Sequence, residues 1–284
     1  MNPGPSRVPT DKHDVLLARD LRHEGARRPP LFPYHDENQT RRRPLVTWTI
    51  IAANLAVWLL IQGAGMGLAL AASVCNLGLI AGELTGMVPP GTAVELGEGL
   101  RCVTDPGRQV SHVLTSMFLH GSWLHLLGNM WFLYLFGNNV EDSMGRARFA
   151  VFYLVCGAAA ALLQVAFGPD AVVPMVGASG AISGVMGGYL VLYPRVRIYT
   201  LVPLGFFVTT MALPAWAMLI YWLVLQVLGG ATMLAGTKGG GVAFWAHIGG
   251  FLAGAVLVKL FARRDYVAAH RAGTYRPSVV RRAA

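Results

Sequence analysis

Residues 177–195 read GASGAISGVMGGYLVLYPR. Ser179 stands among Gly177, Ala178 and Gly180, and an uncharged run follows it as far as Tyr193-Pro194-Arg195. About 15 helical residues cover only about 22 Å, less than the ~30 Å hydrocarbon core of a bilayer. A helix of that length, with Arg195 marking one membrane edge, must begin inside the membrane. Backbone that starts there is tolerated only where protein or a water-filled cavity covers it. Free helix N–H groups at such a point suit a developing negative charge. A serine among glycines is, by itself, a common packing or capping residue, so its company decides its reading.

The chain has 284 residues, of which 54% are hydrophobic and 13% charged. Soluble domains carry about 25% charged residues. Uncharged stretches cover 44–82, 109–140, 149–169, 171–194, 198–237 and 239–258. Runs of about 18 or more apolar residues are transmembrane candidates. The fold class expected is an all-α polytopic membrane protein with six transmembrane helices. These fall near 45–68, 123–139, 148–167, 179–193, 215–228 and 242–260. The stretch 198–237 could hold two helices, but Pro203, Gly205 and Pro214 break its first half.

The net charge of +9 invites a nucleic-acid reading, which the positions exclude. Nine Lys or Arg precede the first span and seven end or follow the last, with Arg146, Arg148, Arg195 and Arg197 in the loops on the same side. Only Arg101, Arg108 and Lys238 fall on the other side. That is the positive-inside pattern for six spans with both termini cytoplasmic. Residues 1–44 are expected to be a basic, disordered cytoplasmic tail without a cleavable signal peptide. The membrane domain occupies 45–262, and 263–284 form a second basic cytoplasmic tail. Residues 83–110 and the Gly-rich stretch 229–241 are expected as external loops that control access. Cys75 and Cys102 lie in or near the first of these, either as a disulfide or as two free thiols.

Polar and ionisable groups inside a bilayer are costly, so each is a functional candidate. Ser179 lies 16 residues from Arg195, His247 lies 16 from Arg263, and His125 lies 16 from Glu141. All three therefore sit about 24 Å above the inner surface. Asn129 is one turn below His125 on the same face. Gly180, Gly184 and Gly188 face, by spacing, Ala246, Gly250 and Gly254, and small residues four apart let membrane helices approach closely. If those faces meet, Ser179 and His247 pair as nucleophile and general base. No carboxylate shares that depth, so a dyad rather than a triad is expected. His125, Asn129 and the Ser179 amide are then oxyanion donors. A metal site or proton relay through His112, His120, His125 and His247 is the competing reading. It leaves Asn129 and the helix-start serine without a role, and there is no HExxH spacing.

Three segments, His120-Gly-Ser-Trp-Leu-His125-Leu-Leu-Gly-Asn129, Gly177-Ala178-Ser179-Gly180 and Ala246-His247-Ile248-Gly249-Gly250, resemble the rhomboid family of intramembrane serine proteases in order and spacing. The resemblance covers about residues 45–262. It implies a six-helix fold whose active site opens to the outer face of the cell membrane. It implies Ser179 and His247 as catalytic, and His125 and Asn129 as oxyanion donors. His120 would be a supporting histidine near the cavity mouth, with Gly177 and Gly180 flanking the nucleophile. Substrates would be single-span membrane proteins within the lipid bilayer, with no nucleic acid and no metal or organic cofactor. A catalytically silent helix-binding relative and a transporter are the alternatives. Two departures stand out. Ser111-His112 replace a common Trp-Arg, and Ser183 replaces an aromatic that stacks on the catalytic histidine, leaving open what orients His247.

Overall fold

The computed structural model describes residues 32–95, 101–204, 207–234 and 242–274. The expected tail residues 1–31 and 275–284 lie outside these. Strand β1 (Phe32–Asp36) comes first, followed by α1 (Leu45–Leu60), α2 (Gly67–Leu77) and α3 (Ala81–Thr85). A short hairpin pairs β2 (Ala93–Glu95) with β3 (Arg101–Val103). After α4 (His112–Thr115), α5 (Trp123–Phe132) runs through a π-helical segment, Leu133–Gly137, into α6 (Asn138–Met144). Then follow α7 (Arg146–Phe167), α8 (Ser179–Leu192), β4 (Arg197–Leu204), β5 (Phe207–Pro214), α9 (Ala215–Leu234), α10 (Phe244–Phe261) and α11 (Arg264–Thr274).

Helices α7, α9 and α10 are long and apolar enough to cross a membrane. Helices α1, α2 and α8 are apolar but shorter. Large apolar side chains, among them Leu124, Leu162, Val256 and Leu260, stand exposed on the outside of the bundle. A water-soluble surface would not tolerate so much apolar area, whereas hydrocarbon requires it.

Helix α8 lies at the centre, packed against α7 and α10. Its contact with α10 is backbone on backbone. A Cβ placed on Gly250 would stand 1.9 Å from the Gly180 carbonyl oxygen, and one on Gly254 would stand 1.8 Å from that of Gly184. Any side chain at either position would drive the helices apart, so the small-residue faces meet as their spacing predicts. Phe149, Phe152, Tyr153, Cys156, Val185, Tyr189 and Phe251 fill the core around this contact.

Two small antiparallel sheets qualify the all-helical expectation. Within 198–237, residues of β4 and β5 pair antiparallel instead of forming loop or helix, and β1 adds to the β4 edge to give the order β1-β4-β5. Residues 32–36, expected in a flexible tail, are thereby ordered. Trp131 of α5 stacks on Phe32 and donates its Nε1–H to the Pro33 carbonyl at 2.8 Å. Residues 264–274 of the expected second tail form helix α11. Helix α9 also continues past its expected end through Gly229 and Gly230, which pack against the rings of Phe244 and Trp245. Only 235–241 of the expected Gly-rich loop remain, outside the described residues. Cys75 and Cys102 are joined in a disulfide, with their Cα atoms 5.3 Å apart, which ties α2 to β3.

At the Arg195 end of α8 the carboxylates of α6 bind the segments around them. Glu141 accepts the N–H groups of Val46 (3.0 Å) and Thr47 (2.8 Å) and the Thr47 hydroxyl (2.8 Å). It thus caps α1, whose own preceding residue, Pro44, offers no side-chain cap. Such a cap is worth about 0.5–2 kcal/mol. Asp142 accepts the N–H groups of Arg41 (3.0 Å) and Arg42 (3.1 Å) and pairs with His270 Nδ1 of α11 (2.7 Å). His270 Nε2 faces Asn38 Oδ1 at 2.7 Å. Asp36 accepts from Tyr189 Oη at 2.6 Å and Asn139 Nδ2 at 2.9 Å. One polar cluster therefore fastens β1, α6, α8 and α11.

Candidate active site

The site forms where α8 begins. Gly177 has φ +129°, a backbone that side chains rarely adopt. Its N–H is held by the Ser116 carbonyl at 2.9 Å. This bend sets Ser179 at the first turn of α8, half-buried. From the neighbouring helix α10, His247 presents Nε2 to Ser179 Oγ at 2.8 Å. The close α8–α10 approach at Gly180 and Gly250 makes that distance possible. A second bond fixes the position of α10 at this level, from the Ala246 N–H to Gln164 Oε1 of α7 at 3.1 Å.

The other ring nitrogen, His247 Nδ1, lies 2.8 Å from Gln226 Oε1 of α9. Trp222, one turn earlier on α9, sets its ring 5.8 Å from the imidazole, tilted by 40°. Ser183, the departure from the aromatic that the resemblance gives at this position, donates to the Ser179 carbonyl at 2.7 Å. The orientation of His247 thus comes from α9. Neither Gln226 nor Trp222 emerged from sequence reasoning. The signal for Gln226 was an uncharged polar side chain inside an apolar span.

His125 enters from α5, whose first turn is capped by the Ser122 hydroxyl accepting the His125 N–H at 3.1 Å. A Cβ built on Gly177 would meet His125 Nε2 at 2.7 Å and Ser179 Oγ at 3.5 Å. The imidazole and the hydroxyl therefore share the space that the glycine leaves open. A long bond from the Gly121 N–H to His125 Nδ1 (3.5 Å) favours the tautomer with its proton on Nε2, facing that space.

Asn129 and His120 form a buried polar pair beside His125. His120 is fully buried, with its ring centroid 5.0 Å from that of His125. Its backbone is gripped on both sides by Gln62, at 2.8 Å from each of Nε2 and Oε1. Asn129 Nδ2 lies 2.9 Å from His120 Nε2, so one amide hydrogen is used there. The second remains for another acceptor. His112, the fourth histidine of the alternative reading, is buried at the start of α4. A small cavity of about 20 Å³ borders Ser179, Gly177, Ser116 and Gly157, roughly the room one water needs.

The arrangement holds a serine hydroxyl against an imidazole, beside a helix N-terminus and a second imidazole carrying an N–H. Together these can take a proton from the serine and receive negative charge close by. Comparison with known proteins identifies the family. The Rhomboid domain model matches residues 107–264. RHOMBOID-like protein 7 of Arabidopsis thaliana is 40% identical over 83 residues, 29% of this chain and 26% of that protein. Rhomboid-like protein 11, chloroplastic, of the same plant is 31% identical over 158 residues, 53% of this chain and 52% of that protein. Rhomboid-like protease 3 of Toxoplasma gondii is 31% identical over 159 residues, 53% of this chain and 51% of that protein. The chain spans about half or less of the length of these relatives. The matched segment contains the Ser179–His247 pair and both flanking histidines, and it covers more than half of the sequence: this chain is a membrane protein of the rhomboid family.

Proposed function

We propose that the protein is an intramembrane serine endopeptidase that cleaves transmembrane segments of single-span membrane proteins. The observation that carries this reading is the 2.8 Å approach of Ser179 Oγ to His247 Nε2 at the level of His125. Ser179 Oγ attacks the peptide carbonyl as its proton passes to His247 Nε2. The tetrahedral oxyanion is received by the His125 Nε2–H, the second Asn129 N–H and the Ser179 amide. His247 returns the proton to the leaving amine, and water then hydrolyses the acyl-enzyme with His247 again acting as base.

In this reading the chain crosses the membrane six times, with α1, the continuous α5–α6 unit and α8 completing the set begun by α7, α9 and α10. Both termini are cytoplasmic, and the Ser179 end faces outward from the cell membrane. The Asp142 end then lies in the cytoplasm, where the basic residues concentrate. A serine-directed fluorophosphonate tests the nucleophile. The folded protein is expected to label at one site, and Ser179→Ala is expected not to. Equal labelling of both forms would defeat the assignment.

A further inference from the structure

We propose that Gln226 is a positioning residue that makes the Ser179–His247 pair a triad with an uncharged third member; this rests on the proposed protease reading. Gln226 is buried, and its Oε1 lies 2.8 Å from His247 Nδ1. An amide oxygen can only accept, so Nδ1 must carry the hydrogen. That leaves Nε2 with its lone pair toward Ser179 Oγ, 2.8 Å away. Without this acceptor the imidazole is free to take the other tautomer, whose Nε2–H could not receive the serine proton. Trp222 and Gln226 are four residues apart, on one face of α9. The first walls the ring and the second fixes its rotation and tautomer.

The neutral acceptor has a chemical consequence. When Ser179 gives its proton to Nε2, the imidazolium keeps Nδ1–H bonded to Gln226 Oε1, and no proton moves onto the amide. A carboxylate in that place would stabilise the cation by direct charge attraction. An amide stabilises it less, so the proton passes on more readily to the leaving amine. The titratable group beside the pair is His125 of α5, whose Nε2 shares the space at Gly177 with Ser179 Oγ and whose ring lies 5.0 Å from that of His120. Helix α7 contributes Gln164, through the Ala246 backbone, and α8 contributes Ser179. Among the described residues the hydrogen-bond partners of the ring are Gln226 and Ser179, and no carboxylate is bonded to it. A carboxylate introduced at 226 would therefore be the first, among the described residues, bonded to the ring.

The test uses the full chain in detergent or proteoliposomes, cleaving a helical membrane substrate. Gln226→Leu keeps similar volume, suits an apolar span and removes the acceptor. It is expected to lower kcat on the order of 10²-fold with little change in KM, as for a misplaced catalytic group. Gln226→Glu restores an acceptor. It is expected to recover activity relative to the Leu form and to move the acid limb of the pH–rate profile upward by about one unit or more. A residue that merely packed would give the opposite order, with the buried carboxylate worse than Leu. Independently of cleavage, ¹⁵N spectra of His247 are expected to show Nδ1 protonated in the wild type and mixed tautomers in Gln226→Leu. If the wild type does not cleave, the protease reading falls, while the ring spectra still decide whether Gln226 holds His247. A Gln226→Leu form with unchanged kcat and an unchanged ring spectrum would overturn the proposal.

Discussion

His247 and His270 sit at opposite ends of the same bundle, each between two side chains. His247 bonds a hydroxyl and an amide, Ser179 and Gln226. His270 bonds a carboxylate and an amide, Asp142 and Asn38. His270 and its Asp142 partner have no exposed side-chain surface, and Asp142 also takes two backbone N–H groups. Ser179 is half-buried beside a small cavity, and the glycine bend leaves its oxygen open toward His125. The charged acceptor is found where elements are tied together. The neutral partners are found where, in the proposed reaction, a proton must move. Two clusters with a histidine each thus divide stability from chemistry.

That division can be broken in order of expected effect. His247→Ala is expected to lower the cleavage rate by about 10³-fold or more, while the melting temperature stays within a degree or two. A rate close to wild type, measured with a purified helical substrate, would erase the contrast. Asp142→Asn is expected to do the reverse. It weakens the acceptor for Arg41, Arg42 and His270, at a cost of about 2 kcal/mol, or roughly 4–8 °C in melting temperature for a domain of this size. The protein that remains folded is expected to keep its turnover number. Burial works to raise the Asp142 carboxyl, but hydrogen bonds from His270 and Arg41 and the charges of His270 and Arg42 outweigh it and hold the group below its ordinary value. Its stabilisation is therefore present above the unfolded value of about 3.9 and lost as the pH falls through the lower folded value. The gap between wild type and Asp142→Asn should close in strong acid.

Asp36 gives a smaller effect of opposite sign. Burial pushes its carboxyl up to about 7, against the lowering effect of the Tyr189 hydroxyl and nearby backbone N–H groups. The folded protein then prefers the protonated form. Its contribution is complete below the unfolded value near 3.9 and is lost as the pH rises through about 7. Asp36→Asn should flatten this slope and melt above the wild type at pH 8. Parallel melting curves of the two forms from pH 5 to 8 would show that Asp36 does not titrate in this range.

Much of the Ser179 end was legible because its rules are local or metrical. The Gly spacing of α8 and α10 predicted their contact, and counting residues to Arg195 and Arg263 placed Ser179 and His247 at one level. Gln226 escaped the same count because the charge on that side, Arg197, lies before the β4 and β5 strands rather than at the end of α9, so its depth had no ruler. The β4–β5 pair escaped for another reason. Its residues are apolar on both faces, which hides the strand alternation, and its partner β1 lies more than 160 residues earlier in the chain. In the sequence Glu141 serves only as the marker of a membrane edge, and Asp142 beside it carries no further signal. Their work as caps and clamps depends on Thr47, Arg41 and His270, which no spacing rule connects to them. The disulfide was one of two open readings, since two cysteines 27 residues apart define no geometry until the loop between them is placed.

The most direct measurement of the central claim is cleavage of a single-span membrane substrate by purified protein in detergent, beside Ser179→Ala prepared and melted in the same way. The account predicts cleavage within the transmembrane segment by the wild type and none by the equally stable variant. Cleavage that persists unchanged in Ser179→Ala would contradict it.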